Sequence, residues 1–206
     1  MQEEKESTRV EAFSDGIFAI AITLLVLGIK VPSHESVLDR GLAHALILLW
    51  PAYLAFFISF ITILVIWVQH HVMFMYVRKV DHSLLYWNGL LLLAVTFVPF
   101  PTGLLAEHLS HPDAKLAAHM YTGNLLAIYI VFYWLWRHVL KSGKVLAEAD
   151  GNRQIGELER ISKYARIAPI LYLGAFALSF ASEFAGIFFC IILAFLISTK
   201  GWPNRR

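Results

Sequence analysis

An all-helical integral membrane protein with six transmembrane helices and both termini cytoplasmic is the fold class the sequence predicts, and three observations predict it. Of the 206 residues, 58% are hydrophobic and only 16% charged, with a mean hydropathy of +0.63. Soluble domains run at roughly 45–50% apolar and about 25% charged, so lipid must solvate much of this chain. The apolar residues also come in long continuous runs, and the basic residues gather on one side of those runs.

A helix needs about 20 mostly apolar residues to cross the hydrocarbon core. The first such run covers 13–29. The second, 43–75, is longer than needed and is expected to tilt or project into water. The third, 84–106, holds Pro99 and Pro101, which should break or kink its far end. The fourth covers 114–140. The fifth and sixth, 165–182 and 184–199, are parted only by the Ser182-Glu183 step, which makes them an antiparallel hairpin. Strands of a membrane barrel would alternate over about ten residues, and these runs do not. The long polar segment 141–164, carrying Glu148, Asp150, Glu157, Glu159, Arg160 and Lys163, reads as a solvated, helix-containing cytoplasmic loop. The pattern of the first span is not repeated, so residues 1–206 read as one unit without internal duplication.

Lysine and arginine set the orientation. With the amino terminus cytoplasmic, that side holds fourteen of the seventeen basic residues, and the other holds only Lys30, Arg40 and Lys115. This bias also favours an even number of spans. Trp50, Trp67, Trp87, Trp134, Trp136 and Trp202 fall near proposed span ends, as an interfacial belt requires. The polar first twelve residues lead into the first span with no small-residue cleavage site, so no removable signal peptide is expected. The one cysteine, Cys190, excludes an intrachain disulfide, and a net charge of +2 gives no footing for a nucleic-acid partner.

The first helix is chemically odd, because Asp15 stands near its start. An ionisable side chain at the membrane centre costs roughly 2.5–3.5 kcal/mol on insertion scales. Two readings accommodate it. Ser14 and Asp15 can cap exposed amides at the positive end of the helix dipole. Alternatively they belong to a polar network at the cytoplasmic mouth, with Arg9 and a histidine from another helix as partners.

Arg9, Phe13, Ser14 and Asp15 spell R-x-x-x-F-S-D ahead of an apolar helix rich in Ile, Leu and Thr. In this motif the chain resembles the transmembrane protein 175 family of endosomal and lysosomal potassium channels, in its prokaryotic single-repeat form. The six-span layout, Trp67-Val-Gln-His70-His71, Trp87-Asn88 and Pro99-Phe100-Pro101-Thr102 carry the resemblance onward in the expected order. It implies a homotetramer in the lipid bilayer, because animal members carry two six-span repeats and prokaryotic members one. It further implies that Ile20 forms a narrow ring in the pore, with layers at Leu24 and Leu27 and hydroxyls at Thr23. Ile20, Leu24 and Leu27, at spacings of four and three, do share one helical stripe. Geometry alone does not select that stripe, since nearly every position from Ile17 to Leu27 is apolar. The resemblance also assigns Arg9, Phe13, Ser14 and Asp15 to an interhelical network with Trp67, His70, His71 and Asn88.

The expected activity is then a potassium-permeable cation channel, with K+ as permeant ion, no cofactor and no metal. The chain lacks a T-V-G-Y-G carbonyl filter, so a hydrophobic constriction that gates by dewetting must carry modest selectivity over sodium. Adjacent helical residues point about 100° apart, so His70 and His71 are poorly placed to chelate one ion. His108, His111, Glu107 and Asp113 read as a solvated outward loop. The rival readings are a secondary transporter, a proton-conducting membrane protein and a membrane enzyme. A transporter would want a charged midplane site, and only Thr23, Thr62, Thr96 and Asn88 lie at plausible depth. An enzyme would want a nucleophile–base pair or metal-ligand spacing, which no motif supplies. A single repeat also points to a bacterial or archaeal plasma membrane.

Overall fold

The computed structural model describes residues 2–77, 80–141 and 152–200, and these are built almost wholly of helix. Helix α1 (Gln2–Leu24) starts in the polar leader and runs into a turn of 3-10 helix, Leu25–Gly28. Two short helices follow, α2 (His34–Arg40) and α3 (Leu42–Leu48), hinged at Gly41, whose φ of 78° is one that a side chain would resist.

The segment 43–75, expected as one helix, is two. Helix α4 (Trp50–Phe74) begins after a break at Leu49. Pro51 sits in its first turn, where the missing N–H costs nothing, but the ring would clash with the carbonyl of Ile47 if the helix ran on. The third segment divides where its prolines fall, into α5 (His82–Thr96) and α6 (Pro99–His108), joined through Phe97 and Val98. Asp81 caps α5, its carboxylate accepting from the Leu84 amide at 2.7 Å. Helix α7 (Ala114–Lys141) is followed by α8 (Asn152–Ala181) and α9 (Glu183–Lys200), with only Ser182 between the last two. Of the expected loop 141–164, residues 142–151 lie outside the described residues, as do Arg78, Lys79 and Trp202; from Asn152 the chain is already in α8.

Among the described residues, five stretches are long and apolar enough to cross a membrane: Glu6–Gly28, Trp50–Phe74, His82–His108, Ala114–Lys141 and Leu158–Ala181. The apolar stretch Glu183–Ile197 of α9 is shorter. The protein is thus an all-helical, multi-pass membrane protein. Helix α4 is its spine, touching α1, α6 and α9, while α7 packs along α5, α6 and α8, and α8 along α9. The core is aromatic between α7 and α8, where the Tyr129 and Tyr172 rings stack at 4.2 Å. Between α4, α6 and α7 it is hydroxylic: Ser59 Oγ lies 2.7 Å from Thr102 Oγ1 and 3.3 Å from Tyr121 Oη. Helix α1 lies on one flank, packed on α4 and α5.

Candidate functional site at the first helix

Helix α1 has two faces. Ser7, Ser14, Phe18, Ala21 and Leu25 are buried, and at about 100° per residue they form one stripe. The opposite stripe is bare and apolar: Phe13 is 65% exposed, Ile20 57%, Leu24 42% and Leu27 71%. Because Leu25–Gly28 is a 3-10 turn, residues three apart eclipse, and Leu27 stands directly above Leu24. Thr23 lies beside this stripe and is also exposed. Its hydroxyl donates to the Ile20 carbonyl at 2.9 Å, which leaves the oxygen lone pairs turned outward as acceptors.

The buried stripe is fastened by a directional chain of hydrogen bonds through three helices. His70 Nε2 on α4 donates to Asn88 Oδ1 on α5 at 2.9 Å. Asn88 Nδ2 donates to Ser14 Oγ on α1 at 2.9 Å. The Ser14 hydroxyl donates in turn to the Val10 carbonyl at 2.8 Å. Asn88 is the hinge of this chain because an amide both donates and accepts. The His70 ring is fixed between Phe18, with centroids 5.3 Å apart, and Phe74, at 4.4 Å.

A second, more exposed tie runs beside the first. Trp67 Nε1 donates to Asp15 Oδ1 at 2.8 Å. The Trp67 indole stacks on His71, and His71 Nδ1 lies 2.9 Å from Glu11 Oε1. Asp15 and Glu11 are one helical turn apart, so both carboxylates of α1 engage the same turn of α4.

The structure therefore brings together Ser14, Asp15, Trp67, His70, His71 and Asn88, with Trp67 on Asp15 but the histidines on partners other than those sequence reasoning favoured. His71 meets Glu11 rather than Asp15 or Arg9, and the buried histidine bonded to Asn88 is His70. Arg9 and Phe13 stand apart: both are exposed on the wall of an open groove that also includes Glu6 and Asp81. Glu11 was missed. Its signal was its place four residues before Asp15, on the same face of the helix. At the other end of the stripe Lys30 pairs with Glu107 of α6, tying the end of the first span to the end of the third.

Residues 9–99 match the family described as endosomal/lysosomal potassium channel TMEM175. Over 198 residues the chain is 52% identical to a potassium channel of Chamaesiphon minutus, a match covering 96% of each. To the endosomal/lysosomal proton channel TMEM175 of Homo sapiens it is 31% identical over 192 residues, covering 88% of this chain and 37% of the human protein. The crystal structure of a lysosomal potassium-selective channel TMEM175 homolog from Chamaesiphon minutus superposes with a TM-score of 0.87 at 51% identity, over 96% of this chain and 98% of that one. With near-complete coverage at half identity in both sequence and fold, the chain belongs to the TMEM175 family of channels.

Proposed function

We propose that this protein is one subunit of a homotetrameric potassium channel, in which four α1 helices surround the conduction axis. The observation that carries the reading is the bare apolar stripe of α1, opposite a face held to the subunit by two sets of polar ties. Ile20 forms the narrowest ring, Leu24 and Leu27 the layers beyond it, and the Thr23 oxygens offer acceptors to a partly dehydrated cation. Dewetting of the ring closes the path, and widening that readmits water opens it. Potassium sheds water more readily than sodium, so a narrow ring without carbonyl ligands favours potassium modestly. The relatives named as potassium channels support this assignment.

Each subunit contributes six spans as a single unit, with both termini cytoplasmic, in the plasma membrane of a prokaryote. The fourteen-to-three distribution of basic residues supports the orientation. Helix α9 supplies the sixth span; its 18 residues reach about 27 Å at 1.5 Å each, close to the roughly 30 Å hydrocarbon thickness. Ser14, Asp15, Trp67, His70, His71 and Asn88 hold the cytoplasmic end of α1 in place; neither they nor Arg9 and Phe13, exposed on the neighbouring groove, line the constriction.

Proton conduction is the second reading, favoured by the human relative named a proton channel. Against it, the one directional hydrogen-bond chain of α1 lies on the buried stripe and ends on a backbone carbonyl. Bi-ionic recording from purified protein in a planar bilayer, potassium opposite sodium at equal pH, separates the readings. Unitary currents reversing toward the potassium equilibrium potential are expected, and Ile20→Asn should raise conductance and reduce the potassium preference. Unchanged permeability ratios in that variant would remove Ile20 from the filter; reversal that follows only an imposed pH gradient would make protons the permeant ion.

A further inference from the structure

The carboxyl end of α7 and the polar-to-apolar boundary of α8 meet at the edge of the subunit, where Trp136 Nε1 donates to Ser162 Oγ at 3.0 Å. Two adjoining recesses of about 550 and 540 Å³ open on this seam and share Leu140, Ser162 and Arg166. Each falls within the range of roughly 300–1,000 Å³ typical of ligand pockets. The first recess adds Arg137 and Lys141, the second Lys163 and Glu159. Among the described residues, four exposed cations thus line the two recesses with one exposed acid.

Both arginines are oriented by neutral partners. Arg137 Nη1 donates to Tyr133 Oη at 3.0 Å, and its guanidinium lies 5.3 Å from the Trp134 ring centroid. Arg166 Nε donates to the Ser162 carbonyl at 3.2 Å. Each guanidinium keeps further N–H donors for an anion. The level of the seam is fixed by its helices: the apolar stretch of α7 ends at Lys141, and that of α8 begins at Leu158. It therefore lies where hydrocarbon meets water, with Tyr133 and Trp134 as interfacial aromatics.

We propose that this seam binds an anionic phospholipid of the adjoining leaflet. The phosphodiester is held between Arg137 and Arg166, whose planar forks suit phosphate oxygens, and Lys141 and Lys163 add charge at the rim. The acyl chains lie on the apolar flank below Leu140. A basic excess that merely sets orientation would need no recess and would be indifferent to which cations are lost. Basic pockets between membrane helices are a recognised headgroup-binding arrangement.

Native mass spectrometry of the full chain in detergent, with phosphatidylglycerol or phosphatidylcholine added, tests this. Phosphatidylglycerol is expected to be retained in preference to phosphatidylcholine. Arg137→Gln with Arg166→Gln should weaken its retention roughly thirty-fold, about fivefold per cation removed. Lys30→Gln with Lys115→Gln, an equal charge loss elsewhere, should leave it at the wild-type level. Lys141→Gln with Lys163→Gln should also weaken it, and carries the test if the arginine pair impairs folding. Equal retention of the two lipids would overturn the proposal, as would an equal loss in the Lys30/Lys115 variant. Displacement of the lipid by millimolar inorganic phosphate would make the seam a site for soluble anions and overturn it too.

Discussion

At the scale of single residues, the junction of α1, α4 and α5 rests on Asn88 more than on either group it bonds. A hydrogen bond between membrane helices is worth only about 0.6 kcal/mol on average, but a buried polar group left without a partner costs about 1–3 kcal/mol. Asn88→Ala strands His70 Nε2, since His70 Nδ1 already lies buried without a hydrogen bond, whereas Ser14 keeps its bond to Val10. His70→Phe leaves only Asn88 Oδ1 unpaired, and a phenyl ring fits the aromatic stack of Phe18 and Phe74. Asn88→Ala should therefore lower the melting temperature by several degrees, and His70→Phe by distinctly less. Thermal unfolding of the two variants in one detergent checks the order, and equal losses would show that His70 carries the junction through more than its bond to Asn88. Trp67→Phe makes a parallel case. It keeps the stack on His71 and loses the N–H bond to Asp15, a bond to a charged group worth about 1.5–3 kcal/mol. Destabilisation should follow, relieved by Asp15→Asn, which removes the unpaired charge.

Among the elements, the α8–α9 hairpin is the tightest joint. Ser182 caps α9, its hydroxyl accepting from the Ala185 amide at 3.3 Å, and Glu183 favours the positive end of the helix dipole. The close approach depends on Gly186. A Cβ there would meet Ser179 Cβ at 2.7 Å and Ser179 Cα at 2.9 Å, so backbone would have to move. At Gly174 the nearest atom is the movable tip of Phe189, at 3.9 Å. Gly186→Ala should cost about 1–3 kcal/mol through overpacking, and Gly174→Ala should be nearly neutral; the difference in melting temperature reads it out. This hairpin was legible from Ser182-Glu183 alone, as the break between α5 and α6 was from Pro99 and Pro101, because both signals are local. The break at Leu49 had a local signal as well, in Pro51, but it was hidden inside an apolar run long enough to pass as one helix. Helix α2 left no comparable mark, nor did the tightening of the first span into a 3-10 turn at Leu25–Gly28, since propensity hardly separates short helical turns from loop or one helix type from another. The pairing of Glu11 with His71 was out of reach for another reason: it depends on how α1 lies against α4, and periodicity cannot fix that rotation when nearly every position is apolar.

For the whole molecule, the bare stripe of α1 can face either lipid or further copies of itself, and the two make different demands. Apolar exposure does not separate the two, because a lipid-facing helix is just as apolar; Ile170 on α8, 69% exposed, is as bare as Leu27. Two features of α1 favour the axis. Its opposite face is fixed by polar ties from two other helices, more than a peripheral helix needs, and Thr23 exposes hydroxyl oxygen along the stripe, where hydrocarbon offers it no donor. A narrow ring makes a geometric demand that lipid does not. Residue 20 of neighbouring subunits must come close around the axis, near the limit of about 7 Å between Cα atoms within which a disulfide can form. The native chain is suited to the test, since Cys190 is its only cysteine and is buried. In membranes under mild oxidation, Ile20→Cys should form disulfide-linked dimers, while Ile170→Cys should remain monomeric on a non-reducing gel. Linked dimers from both positions would reflect random collision, and their absence at Ile20 would mean that α1 does not close on itself there. A tetrameric mass in detergent together with the Ile20 disulfide would place the ring on the axis, and the effect of Ile20→Asn on ion preference would then report on the filter itself.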